Sequence, residues 1–276
     1  MCVGPADLDR LFLYSLRSCV QRVADVDKVV IVTPCREQLL ARLTSAGPLS
    51  VPIEVIEDCE ALPRAYASLP GWCKQQAIKL HGDHLTGQAP FICLGADTVV
   101  LRSIELPDLF EGNTPILYYN RYHFDCAHLS YERKRVDAVA RVLRVEPVRA
   151  REFGDFIMDL TVLDPAVLTG LRAYLEQLYG QDALTKVMPR TPENLAQKQT
   201  FGEWTLYAVF LLDVLGMEVP IRNSNSLHLA QVHSHRELER FGFDAKIVHF
   251  VSKAFNMSEL ASKFQSLGVG IGSGEP

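Results

Sequence analysis

Residues 28–34, Lys28-Val29-Val30-Ile31-Val32-Thr33-Pro34, form an unbroken β-branched run closed by a proline. Such a run has no polar face. As a strand it needs apolar cover on both sides, which helices flanking a parallel sheet provide. The neighbouring sequence supplies that cover. Leu8, Leu11, Phe12, Leu16, Cys19, Val20 and Val23 recur at helical spacing after a capping Asp7, which predicts an amphipathic helix over 7–24, and another helix is expected over 36–46. Ile53 to Asp58 reads as the next strand. Pro70-Gly71 opens a third helix that ends near the polar stretch Gly82–Gly87, and Pro90 to Asp97 reads as a further strand. Alternation of this kind predicts an α/β fold with a mainly parallel sheet between helices. Ligands of such sheets sit outside the carboxyl ends of the strands, where Thr33, Asp58 and Asp97 fall.

The second half is less regular. Strands are expected at 116–119, 156–163 and 246–251, and helices at 165–179 and 201–215, the former opened by the cap and first-turn pair Asp164-Pro165. No internal repeat or biased linker divides the 276 residues, so the expectation is one domain over 1–267 and a flexible glycine-rich tail over 268–276. With 48% hydrophobic and 22% charged residues the composition is globular, which excludes collagen, coiled coil and extended disorder. The net charge of −5, without a long basic block, argues against a nucleic-acid partner. No apolar run approaches the roughly 20 residues of a membrane helix, and Met1 to Asp7 lacks a basic-then-hydrophobic leader, so a cytoplasmic chain with no integral membrane segment is expected. The seven cysteines, at 2, 19, 35, 59, 73, 93 and 126, lack CxxC spacing and read as reduced, mostly buried small side chains. The Arg-rich stretch from Tyr131 to Arg151 reads as the solvated face of a helix.

The stretch 71–104 concentrates groups that can do chemistry. It places Trp72, Gln75, Gln76 and Lys79 on one helix and then brings Asp97 to the end of an apolar strand. A carboxylate there contributes nothing to packing; it caps a turn or holds a divalent cation through oxygen ligands. Gln75 and Gln76 are adjacent and point in different directions on a helix. Asp159, inside an apolar run, needs a partner if buried, which makes it either a site residue or a structural hydrogen-bonding group.

The Gly-Trp-x-x-Gln-Gln helix (Gly71 to Gln76), the apolar strand ending in Gly95-Ala96-Asp97 and the following Val-Val-Leu-Arg resemble GT-A-fold glycosyltransferases. They are particularly similar to a bacterial family of GT-A-like proteins with the same Trp-Gln-Gln helix. The resemblance covers roughly 28–215 and implies a GT-A-like (Rossmann-like) mixed, mainly parallel sheet flanked by helices. It also implies a nucleoside-diphosphate sugar as donor, a small-molecule or glycan hydroxyl as acceptor, and Mn²⁺ or Mg²⁺ as cofactor. Asp97 matches the second Asp of the Asp-x-Asp motif, the metal-touching one. Gly95 stands where the first, donor-touching Asp is usual, with Ala96 between them.

Further roles follow from the same resemblance. Thr33 and Pro34 match the end of the first GT-A strand, near the nucleotide base, and Asp58, Trp72, Gln75, Gln76 and Lys79 join them on the donor side. Phe156 to Pro165 resembles the strand and helix start that build the acceptor side, where Asp159 offers a carboxylate. Phe201-Gly202-Glu203-Trp204-Thr205-Leu206-Tyr207 resembles a helix whose acid, here Glu203, lies beside the acceptor. Glu203 and Asp159 are therefore the two base candidates. Ile247 to Lys253 is similar to the segment in which a His completes the metal shell and a Lys meets the diphosphate, which assigns His249 and Lys253; His228, His233 and His235 are alternatives for the former. Two other readings stand beside the transferase. One is a catalytically silent nucleotide- or sugar-binding protein that lost turnover with the first Asp. The other is a different nucleotide-dependent transferase, although no GxxxxGK or GxGxxG phosphate loop precedes a helix.

Overall fold

The computed structural model describes residues 1–9, 11–119, 129–154, 156, 158, 160–188, 201–232, 234–239, 245–250 and 255–269. The first half runs α1 (Phe12–Arg22), β1 (Val29–Thr33), α2 (Arg36–Ala46), β2 (Ile53–Glu57), α3 (Gly71–Leu80), β3 (Phe91–Leu94) and β4 (Thr98–Val100). Two short strands follow, β5 (Phe110–Glu111) and β6 (Thr114–Pro115), then β7 (Leu117–Tyr119), α4 (Leu129–Leu143), β8 (Leu160–Leu163), α5 (Pro165–Tyr179) and α6 (Glu203–Val209). The chain closes with β9 (Ile221–Asn223), β10 (Leu229–Val232), β11 (Ile247–Phe250) and α7 (Met257–Ser266). The fold is mixed α/β, and the chain forms two compact units. One comprises Met1–Asp58, Leu94–Phe110 and Asn225–Pro276; the other comprises Cys59–Cys93 and Glu111–Ser224.

In the first unit β1 pairs in parallel with β2, Val29 opposite Ile53 through Thr33 opposite Glu57. The amino-terminal segment adds itself to the other side of β1: Val3 N donates to Val32 O, Val32 N donates to Met1 O, and Cys2 bridges both Val32 and Gly95 in parallel. Elsewhere in the unit β11 pairs in parallel with β10 and antiparallel with β4, setting His249 opposite Thr98. Helix α1 serves both ladders. Its Phe12 and Leu16 join Val3, Ile31, Leu39 and Ala96 in one apolar cluster, while its Tyr14 and the preceding Leu11 join Val99, Val248, Phe250 and Phe264 in another.

Two buried hydroxyls explain how α1 tolerates polar groups between these clusters. Ser15 Oγ donates to Gly95 O at 2.8 Å, and Ser18 Oγ donates to Ser15 O at 3.0 Å while accepting from Val100 N at 2.9 Å. Arg22, at the end of α1, donates to Leu101 O and Leu267 O, which ties the helix to both β4 and the end of α7. Gly268 and Val269, the first residues of the expected tail, close α7 by hydrogen bonds to Gln265 O and Phe264 O, and Val269 is buried in the core.

In the second unit β3 lies beside β8, and β7 pairs in parallel with β9. Asp164 caps α5 by accepting from Ala166 N, as the Asp-Pro pair predicts. Helix α6 packs on α3, α4 and α5. The helix expected over 201–215 changes type: after Val209 the chain continues as a π-turn over Phe210–Val214, with Leu215 N reaching back to Phe210 O. Asp213, in that turn, accepts from Arg149 N and Ala150 N. Gly82 permits a close approach, because a Cβ there would lie 2.4 Å from the Phe91 ring. The strand expected over 156–163 begins only at Leu160, with Phe156 and Met158 buried but outside any ladder.

A buried polar knot fastens the end of α3 to α5. Arg172 grips Asp83 with both guanidinium nitrogens, at 2.6 and 2.5 Å, and also donates to Leu80 O, while Thr169 donates to the same carboxylate. Burial alone would raise the Asp83 carboxyl, but the Arg172 and Thr169 bonds hold it below the usual carboxylate range. His81 sits alongside, its Nδ1 2.8 Å from Ala77 O and its ring edge-on to Tyr66. Burial, aided by Arg172 and His84, outweighs the Ala77 carbonyl and Asp83 and pushes His81 down to about 4. The unfolded chain therefore takes the His81 proton first, so stability falls as pH drops from about 6.5 to about 4, by an amount on the order of 3 kcal/mol. Asp83, depressed instead, holds its contribution above the ordinary carboxylate range and loses it at still lower pH. Urea midpoints measured between pH 7 and pH 4.5 should show the first loss, and His81→Gln should flatten that segment of the profile.

Candidate functional site

Asp97 does not end a strand; it occupies the tight turn between β3 and β4. Gly95-Ala96-Asp97 breaks the expected 90–97 strand after Leu94, and Thr98 N folds back toward Gly95 O at 3.3 Å. Two carbonyls of that turn are held from outside it. Gly95 O accepts from Ser15, and Asp97 O accepts from Phe250 N at 3.0 Å, the residue after His249 on β11. The antiparallel register then brings the His249 imidazole to the Asp97 carboxylate, Nε2 to Oδ2 at 3.6 Å. The Asp97 side chain is 49% exposed and His249 only 15%, so the carboxylate opens to solvent and the imidazole backs it. Thr98, beside them, is fully buried, and its Oγ1 has no hydrogen-bond partner among the described residues.

The remaining sequence-assigned residues of this unit are placed as follows. Thr33 is buried at the end of β1, its hydroxyl accepting from Cys35 N. Pro34 is exposed, and Asp58 is half-buried at the start of a short helix. Ala96 packs its methyl group into the apolar cluster around Phe12.

In the second unit α3 presents a second constellation. Gln76 and Lys79, one turn apart, both reach α6: Gln76 Oε1 accepts from Glu203 N at 3.1 Å, and Lys79 Nζ lies 2.5 Å from Glu203 Oε1. The same ammonium stands over the Trp204 ring, 4.5 Å from its centroid. The pair is well buried, with side-chain exposures of 17% for Lys79 and 4% for Glu203. Gln75 and Trp72 turn to half-buried positions, so the two amides diverge as helix geometry requires. The structure thus groups Gln76, Lys79 and Glu203, with Trp204 as a member that the sequence reading passed over. The signal for Trp204 was its place directly after Glu203. One turn further along α6, Tyr207 accepts from Asp164 N and borders a pocket of about 150 Å³ walled by Ile116, Leu117, Val167 and Met217. Burial pushes the Tyr207 phenol well above its ordinary value, so it stays neutral.

Asp159, Lys253 and His233 lie outside the described residues. His228 sits in the left-handed region with φ of 47°, in the turn before β10. Among the described residues, no group of three or more His, Cys, Asp or Glu could hold a metal. Among the six described cysteines, Cys19, Cys73 and Cys93 are buried, whereas Cys59 is exposed.

The chain belongs to a protein family of unknown function, DUF6492, whose model matches residues 7–236. No curated protein matches it. The matched span includes Lys79, Asp97 and Glu203, and it stops before His249.

Buried ion pairs cost little while intact and much when halved. Lys79→Met, which strands the Glu203 carboxylate, should destabilise the protein by about 3–5 kcal/mol at pH 7. The double change Lys79→Met with Glu203→Leu should recover most of the loss. Chemical denaturation of wild type and the two variants at pH 7 measures both effects.

Proposed function

We propose that the protein is a glycosyltransferase that moves a sugar from a nucleoside-diphosphate donor to a hydroxyl acceptor with a divalent cation, on a GT-A-like sheet. The observation that carries this reading is the Asp97 turn backed by His249. A half-exposed carboxylate and an imidazole 3.6 Å apart are two ligands for one cation. Mg²⁺ and Mn²⁺ accept such a partial set, because Mg²⁺ in particular keeps several waters and takes substrate phosphate oxygens for the rest. The residues therefore fit a metal that is completed by its substrate. When bound, that metal supplies positive charge to the departing diphosphate.

The chain's own residues have separate tasks. The resemblance assigns the cation to Asp97 and His249, and an ammonium for the charge that develops on the leaving group to Lys79 or Lys253, the kind of stabilisation that is usually the largest catalytic term. Glu203 and Asp159 are the carboxylates assigned to the acceptor proton. Glu203 is engaged by Lys79, so it must exchange that partner before it could serve. Gly95 in place of the first Asp supports a second reading, a nucleotide- or sugar-binding protein without turnover.

Thermal unfolding with nucleoside diphosphates and nucleotide sugars, each in Mn²⁺, Mg²⁺ or EDTA, tests the donor site. A ligand at 100 times its Kd adds about 2.7 kcal/mol, a rise of several degrees. The expected result is a metal-dependent rise with one nucleotide class that disappears in Asp97→Ala. A rise equal in Asp97→Ala and wild type would place the metal elsewhere. A rise without sugar transfer to any acceptor would select the binding-only reading.

A further inference from the structure

The pocket beside Tyr207 lies wholly within the second unit, and the π-turn after α6 forms part of its wall. Leu211, in that turn, lines it together with Ile116, Leu117, Val162, Val167 and Val219. The wall is fixed: Asp213 is held by Arg149 N and Ala150 N, and Met217 N donates to Leu211 O. Wide turns of this kind within helices recur at functional sites. Leu215 and Met217 are exposed, Met217 as a pocket residue, and Arg149 brings the exposed Val148 to the same turn by donating to Leu212 O and Met217 O. Exposed apolar side chains thus adjoin an apolar hollow of about 150 Å³, a size that admits a benzene-sized molecule.

Besides Asn113 and Thr114, two polar residues line the hollow, Tyr207 and Asp164. Tyr207 is buried, and its hydroxyl oxygen accepts from Asp164 N at 3.1 Å. Burial keeps that phenol protonated, and its proton meets no acceptor among the described residues. Asp164 Oδ1 caps α5 by accepting from Ala166 N, whereas Oδ2 has no hydrogen-bond partner among the described residues. An open donor and an open acceptor therefore stand on neighbouring residues. A buried donor without a partner costs more than a made bond returns. A hydrocarbon leaves both groups unanswered, an anion meets the Asp164 carboxylate, and an ammonium leaves the Tyr207 proton unanswered. A hydroxyl answers both, because its single oxygen donates and accepts. We propose that this pocket binds a small neutral alcohol or phenol of about benzene size, whose hydroxyl accepts from Tyr207 and donates to Asp164 while its apolar body lies against Ile116, Val167 and Leu211. Such a site owes nothing to the transferase reading.

The full chain labelled with ¹³C-methyl methionine, titrated with phenol and with toluene, reports the site through the Met217 methyl resonance, assigned with Met217→Leu. Phenol is expected to shift that resonance to saturation in wild type and equally in Asp97→Ala, which separates this pocket from the proposed metal site. Tyr207→Phe, which keeps the ring and removes the hydroxyl, is expected to weaken phenol about tenfold while sparing toluene. Asp164→Asn, which retains a capping side chain but offers an amide, is expected to weaken phenol by a similar factor and again to spare toluene. Val219→Trp, which fills the half-buried side of the hollow, is expected to abolish both. No saturable shift with phenol in wild type would overturn the site. Phenol binding undiminished in Asp164→Asn and Tyr207→Phe would overturn it too, as would equal weakening of phenol and toluene, the mark of a pocket that has only changed shape. Should Tyr207→Phe fail to fold, Asp164→Asn decides by the same criterion.

Discussion

The Ser15 hydroxyl on Gly95 O is a small interaction on which the geometry of the Asp97 turn depends. A neutral hydrogen bond of this kind contributes about 1 kcal/mol, and Gly95 O takes it beside the 3.3 Å contact from Thr98 N, so α1 and the turn share one acceptor. Ser18 repeats the arrangement one turn on, taking Val100 N, so a single helix fixes both ends of the segment from Gly95 to Val100. Because α1 also splits its apolar side chains between two clusters, the turn cannot shift without disturbing both. The Asp97 carboxylate is thereby held on rigid structure although it sits between strands.

The two constellations handle charge in opposite ways. Asp97 and His249 are 3.6 Å apart and the carboxylate is half exposed, so water shares in solvating it. Lys79 and Glu203 are at 2.5 Å in a buried setting, where each charge offsets the burial cost of the other.

The sequence disclosed the elements whose signals are local. The β-branched run gave β1 to within a residue, and Arg36–Ala46 and Pro165–Tyr179 are the helices expected, the latter fixed by Asp164 and Pro165. What it did not disclose depends on distant partners. The strand toward Asp97 stops early because Ser15, 80 residues away, and Cys2 hold Gly95 in a turn. Met1 to Val3, for which the sequence predicts no element, pair with the open edge of β1. The π-turn after Val209 coincides with Asp213 answering Arg149 and Ala150, a contact with no trace in local periodicity.

Among site residues, the same division holds. Helix geometry alone separated Gln75 from Gln76, and the structure shows that Gln76 and Lys79 share the face that reaches Glu203. Helix geometry could not show that this face meets the first turn of α6, which converts a free acid and a free cation into a pair. That meeting changes what Glu203 can do. A carboxylate bound at 2.5 Å by an ammonium and shielded from water has neither the open lone pair nor the solvation that a resting general base requires. In this arrangement the carboxylate fastens the first turn of α6 to α3.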